Sequence, residues 1–421
     1  MADTVRGVAS DAPPAAPPAA PSTAGRLPCF DGLRAIAAIS VLGVHTSFVS
    51  GFTTRQAVWG AYTARLEIGV AVFFVISGFL LYRPFTSAHF GIRGAPSVSR
   101  FWLRRFLRIV PAYWLAFGVI TYVLHADTVV PGWRSLLIYL GFGQIYFPDH
   151  ILTGVTQAWT LCTEMSFYLF IPLYAWVLGR RHRDPARQVR VELAGLAVLC
   201  LISLSFRLAD LEVNSSMART MTNWLPAYVD LFALGMFLAV VSAWMRATGR
   251  RPSWASHPKM PVISWSLAAL CFVWVSNLGL NRLPIYQPTV GNSIARQTLY
   301  GLFGLFLVVP AVFGPQDQGF VRWLLRSRPL ALLGAISYGI YLWHEAWILM
   351  FVRWTGDRLF SFPLWELAPI TFVLAVGSAA VSYVLVESPA QRLGHLPGIG
   401  HRAPRAQGVN PLLTSSATID S

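Results

Sequence analysis

The chain has 421 residues, 55% of them hydrophobic and 12% charged, with a mean hydropathy of +0.53. An average soluble domain carries about 25% charged residues, so the composition excludes an ordinary soluble globule and points to a protein whose apolar surface faces hydrocarbon. The net charge of +15 comes almost wholly from arginines clustered between apolar segments, and no recognition helix or finger pattern accompanies them, which excludes a nucleic-acid partner.

In chain order, residues 1–28 are low-complexity, with APPAAPPAAP at their centre, and are expected to form a disordered cytoplasmic lead. A membrane domain is expected over 29–392, followed by a polar, Pro/Gly-rich cytoplasmic tail over 393–421. Apolar segments lie near 34–50, 66–82, 107–124, 133–147, 159–178, 191–209, 223–244, 261–278, 295–314, 330–352 and 363–386. A helix needs roughly 20 residues to cross ~30 Å of hydrocarbon, so 133–147 is short. Loop charge supports the same reading. The loops 83–106, 179–190, 246–260 and 315–329 are rich in arginine and belong inside, whereas 125–132 has no Lys or Arg and belongs outside. This alternation requires 133–147 to be a re-entrant or buried helix. The expected fold is an all-α polytopic transmembrane bundle, with about ten crossings plus that short helix and both termini cytoplasmic. The Ala/Arg/Pro-rich, Lys-poor composition suggests a GC-rich bacterial genome and hence a multi-pass protein of a bacterial cell membrane. Cys29, Cys162, Cys200 and Cys271 are scattered and form neither a disulfide framework nor a metal-ligand spacing, so no metal is expected.

Ionisable groups inside such segments cost about 2.5–3.5 kcal/mol each on insertion scales, so each needs a reason. Arg34 and His45 are eleven residues apart, ~16 Å along a helix and on nearly the same face. In RFWLRRFLRIVP (100–111), Arg104, Arg105 and Arg108 cluster where a basic loop enters a span. Anchoring at the cytoplasmic face would explain them, as would a dock for phosphate. Glu164, Asp230, His344 and Glu345 complete the set. Of nine histidines only His45 and His344 are expected inside spans, and depth counts put both near Glu164, which a shared polar cavity would explain.

The motifs in this frame resemble those of acyltransferase family 3 over about residues 27–392. They are LPCFDGLRAIAAISVLGVH (27–45), GVAVFFVISGFLL (69–81), Arg105-Phe106-Leu107-Arg108, AWTLCTEMSFYLFIPL (158–173), SYGIYLWH (337–344) and VESPAQR (386–392). Thr160 stands where Ser is common. The resemblance implies a membrane enzyme that acylates hydroxyls on sugars of polysaccharides, envelope glycans and macrolides. It implies acyl-CoA as the donor and a sugar-containing acceptor. On this reading His45 removes the hydroxyl proton and Glu164 orients it or stabilises the imidazolium. Of the cofactor-binding residues, Arg34 lines the donor route and the cluster Arg104, Arg105 and Arg108 grips the coenzyme A phosphates, while His344, Tyr168, Ser337 and Tyr341 line the substrate cavity, the last three being candidate oxyanion donors. A covalent acyl-His intermediate is equally compatible. The alternative is a transporter of sugars or small organic molecules, which would also need buried ionisable groups. The chain shows neither an internal repeat nor paired Gly/Pro-broken helices to favour it.

Overall fold

The structure is a computed structural model that describes residues 27–181, 184–212, 218–283, 289–356 and 358–394. The expected tails at 1–28 and 393–421 lie outside these residues except for Leu27, Pro28, Leu393 and Gly394. Among the described residues there are helices and no strands. The long apolar runs must coil because hydrocarbon offers no partner for a bare peptide group.

The principal helices are α1 (Cys29–Val49), α2 (Ile68–His89), α3 (Val98–Gly118), α4 (Trp133–Leu140), α5 (Trp159–Gly179) and α6 (Pro185–Glu212). After them come α7 (Leu225–Thr248), α8 (Met260–Ser276), α9 (Val290–Val312), α10 (Arg328–Ala335), α11 (Ser337–Thr355) and α12 (Leu364–Ser382). Among the described residues, eight helical stretches are long and apolar enough to cross a membrane, and α8 is a shorter apolar helix. The expected segment 330–352 is broken at Ile336 into α10 and α11, so the helix that carries His344 starts at Ser337. Residues 133–147 are the eight-residue α4 and a short 3-10 turn, about 12 Å of α-helix and too little to cross. Large side chains such as Trp176, Leu201, Val373 and Leu385 point outward, as a lipid-facing surface requires.

Two corrections concern where loops end. RFWLRRFLRIVP is helical throughout, because Ser97 caps α3 by accepting the Arg100 amide and the run after it favours helix. His89, expected in a loop, belongs to the last turn of α2. There it meets the fully buried Glu192 at 2.6 Å, and Tyr82 (2.6 Å) and Gln188 (2.9 Å) donate to the same carboxylate. Three donors on one buried carboxylate tie α2 to α6.

Small residues set a close crossing of α2 and α7. Gly78 of α2 lies against the Phe232 carbonyl of α7, and Gly235 of α7 lies against the Val75 carbonyl of α2. A methyl group at either site would overlap backbone, so the reciprocal pair fixes how near these helices run. Helix α1 is held between α2, α10 and α11, which places its one histidine inside the bundle.

Candidate active site

His45 lies four residues from the end of α1 and His344 seven residues into α11. The packing of the two helices brings Nδ1 of His45 to 2.7 Å from Nε2 of His344, with the ring centres 5.0 Å apart and the planes 6° from parallel. His344 Nδ1 is 2.8 Å from the backbone oxygen of Tyr341. A carbonyl can only accept, so His344 Nδ1 carries a proton. Two neutral rings then have one arrangement: His344 Nε2 accepts from His45 Nδ1–H, and His45 Nε2 keeps a bare lone pair. That nitrogen has no protein partner among the described residues.

His45 lines a cavity of about 600 Å³ together with Arg65, Glu67, Arg282, Asn292, Arg296 and Glu345. Glu67 is the organising charge there. Its Oε1 accepts from Tyr300 Oη at 2.8 Å and faces guanidinium nitrogens of Arg65 and Arg296 at 3.7 and 3.8 Å. Arg282 closes the rim by donating to the carbonyls of Gln56 and Ala57.

A second, tighter cavity of about 90 Å³ lies toward the opposite end of α1. Its walls include Arg34, Arg105, Arg108, Glu164, Tyr168, Ser337 and Tyr341, and it shares no wall residue with the first. Ser77 Oγ donates to Glu164 Oε1 at 2.6 Å and Tyr168 Oη donates to the same atom at 2.7 Å. Arg105 lies beside Tyr168, and its Nε is buried without a partner. Arg34 pairs with Asp31 at 3.4 Å. Tyr341 joins the two cavities: its ring lines this one and its carbonyl holds His344, which holds His45.

Several expectations change. Glu164 partners Ser77 and Tyr168 rather than His45 and lines the other cavity, and His344 lines neither, so no one cavity holds the three. Arg105 and Arg108, one turn apart, line the tight cavity, but Arg104 is rotated by about 100° and faces outward, with its stem near Gly394. The three candidate oxyanion donors have their protons committed: Tyr168 to Glu164, Ser337 to the Gly334 carbonyl at 2.9 Å, and Tyr341 to the Gln157 carbonyl at 2.8 Å. Thr160 donates to Tyr341 Oη at 2.7 Å, a bond a serine hydroxyl could also make. Sequence reasoning missed Glu67, whose signal was a carboxylate and Arg65 at the lip of an apolar run.

Chemically, the arrangement can take up a proton in one cavity and hold an anionic carrier in the other, which is the equipment of a membrane-embedded group-transfer enzyme. The sequence matches a protein family described as an acyltransferase domain over residues 27–387. It is 28% identical over 410 residues to the acyltransferase MdmB of Streptomyces mycarofaciens, covering 92% of this chain and 96% of that one. It is 24% identical over 385 residues to the O-acetyltransferase OatA of Staphylococcus aureus, and 22% identical over 386 residues to the peptidoglycan O-acetyltransferase OatA of Listeria monocytogenes. These cover 87% and 88% of this chain, which spans 58% and 56% of those two relatives. No solved structure matches the chain. The chain belongs to this acyltransferase family and is a multi-pass helical membrane protein.

Proposed function

We propose that the protein transfers an acyl group from acyl-CoA to a hydroxyl of a sugar-containing acceptor, with His45 as the general base. The observation that carries this reading is the proton order Tyr341 carbonyl–His344–His45, which leaves a lone pair on His45 Nε2. An acceptor hydroxyl in the His45 cavity would lose its proton to Nε2 as its oxygen attacks the thioester carbonyl. The carbon–sulfur bond then breaks, the ester forms, and the thiolate leaves and takes up a proton. Glu67 faces the same cavity and would stabilise the imidazolium while it lasts. The guanidinium groups of Arg34, Arg105 and Arg108 suit the phosphates of coenzyme A, since each presents a planar fork of donors. Glu164 acts on this side, ordering Tyr168 beside Arg105.

Two of the buried carboxylates that a transporter would also need have structural partners: Asp230 accepts from Gln297 at 2.8 and 3.1 Å, and Glu164 accepts from Ser77 and Tyr168. The experiment is thioester turnover by purified protein in detergent with radiolabelled acetyl- or isovaleryl-CoA. Release of free coenzyme A or label on an acceptor, absent in His45→Ala, is the expected result. Equal turnover by His45→Ala would remove the base assignment, and no turnover with any acyl-CoA would remove the donor.

A further inference from the structure

A third cavity, of about 720 Å³, lies on the other face of α2 from the tight cavity described above, between α2, α7 and the segment after α7. Arg83, Arg246, Arg250 and Arg251 all line it, and no carboxylate does. Among the described residues none of the four makes an ion pair. Arg246 Nε reaches only the Ser242 carbonyl of its own helix, at 3.2 Å, and Arg250 lies 5.9 Å over the Trp244 ring. Three arginines elsewhere in the fold are compensated, Arg34 by Asp31, Arg65 by Glu67, and Arg322 by the carbonyls of Pro310 and Phe313.

The need to orient a membrane protein explains why arginines collect at one end of its helices. It does not explain why four of them face one concavity, because like charges that serve only orientation gain by spreading into solvent. A concave wall of uncompensated guanidinium groups is complementary to an anion, and phosphate matches the guanidinium fork in both geometry and charge. The size argues against a lone inorganic ion, since about 300–1,000 Å³ is the usual range for sites that enclose organic ligands. Phe79 and Phe313 supply an apolar floor.

We propose that this cavity binds a phosphate ester attached to an apolar or aromatic group, as a site separate from the Arg34–Arg105–Arg108 cavity and independent of the acyl-transfer reading. The same chemistry is offered by a soluble nucleotide and by an anionic phospholipid headgroup, and two arms tell them apart. The full chain is placed in phosphatidylcholine nanodiscs and titrated with adenosine 3′,5′-bisphosphate. In parallel, nanodiscs of mixed phosphatidylcholine and phosphatidylglycerol are used, and co-purified phosphatidylglycerol is counted by native mass spectrometry. In the Arg105→Gln background, which disables the coenzyme A site, one of the two probes should still bind, and should bind at least tenfold more weakly once Arg83→Gln/Arg246→Gln is added. If the helix variant does not fold, Arg250→Gln/Arg251→Gln, altered where the side chains are exposed, gives the same reading. Binding of neither probe, or binding unchanged in the folded arginine variants, overturns the proposal.

Discussion

Both ring nitrogens of His344 are engaged, one by the Tyr341 carbonyl and the other by His45, so this residue fixes a proton rather than moving one. His344→Ala removes the acceptor that holds His45 in its reactive tautomer. Turnover in the thioester assay should fall by about 10²-fold or more, within the range that a positioned base supplies, while the KM for acyl-CoA stays near that of the wild type. A rise in KM with kcat retained would mean that His344 serves binding instead. The Thr160 hydroxyl supports the same helix through Tyr341. Thr160→Ser should leave thermal stability in detergent unchanged, whereas Thr160→Val should cost about 1 kcal/mol and lower the unfolding temperature. At this scale the sequence was legible where chemistry is rare: an imidazole inside an apolar run stands out. Its partner was legible only as a second imidazole at similar depth, because no sequence pattern gives the direct contact of α1 with α11. Arg104 was misread for a simpler reason, since adjacent arginines in a helix point about 100° apart and only one can face the cavity.

Among the elements, α2 bears the most constraints. One face crosses α7 through Gly78 and Gly235, and its last turn is tied to α6 by Glu192. Gly78→Ala drives a methyl into the Phe232 carbonyl and should destabilise the protein by about 1–3 kcal/mol, measured as an earlier thermal transition in detergent. Glu192→Gln turns an all-acceptor carboxylate into an amide that presents donors to the hydroxyl of Tyr82 and the ring of His89. A similar loss of about 1–3 kcal/mol is expected, with turnover per folded molecule retained because the residue lies outside both cavities along α1. The apolar runs announced nearly every long helix. The ends were harder. Glu67 and Glu192 sit at the edges of runs, where a carboxylate reads as a solvated flank, and the break at Ile336 follows from α10 packing on α1, with Gly334 against the Asp31 carbonyl.

For the molecule as a whole, loop charge assigns sides that impermeant thiol labelling can check in a cysteine-free background. A cysteine at 251 should react only when the inner face is accessible, and one at 127 only from the outer face. Labelling of both from one side would reverse the orientation or change the number of crossings. The all-helical bundle was readable because hydrocarbon leaves a chain few other ways to satisfy its backbone. Its two cavities along α1 were not, since each is assembled from helices far apart in the chain.

The chain of hydrogen bonds from Tyr341 through His344 to His45 runs between the walls of those two cavities, and its consequence is electrical. If a hydroxyl gives up its proton on one side of that partition and the thiolate is reprotonated on the other, each turnover carries one positive charge part of the way through the membrane field. Acyl transfer in sealed proteoliposomes should therefore change in rate when a diffusion potential is imposed, and reverse the sense of that change when the polarity is switched, by an amount bounded by about 2.3 kcal/mol per charge per 100 mV.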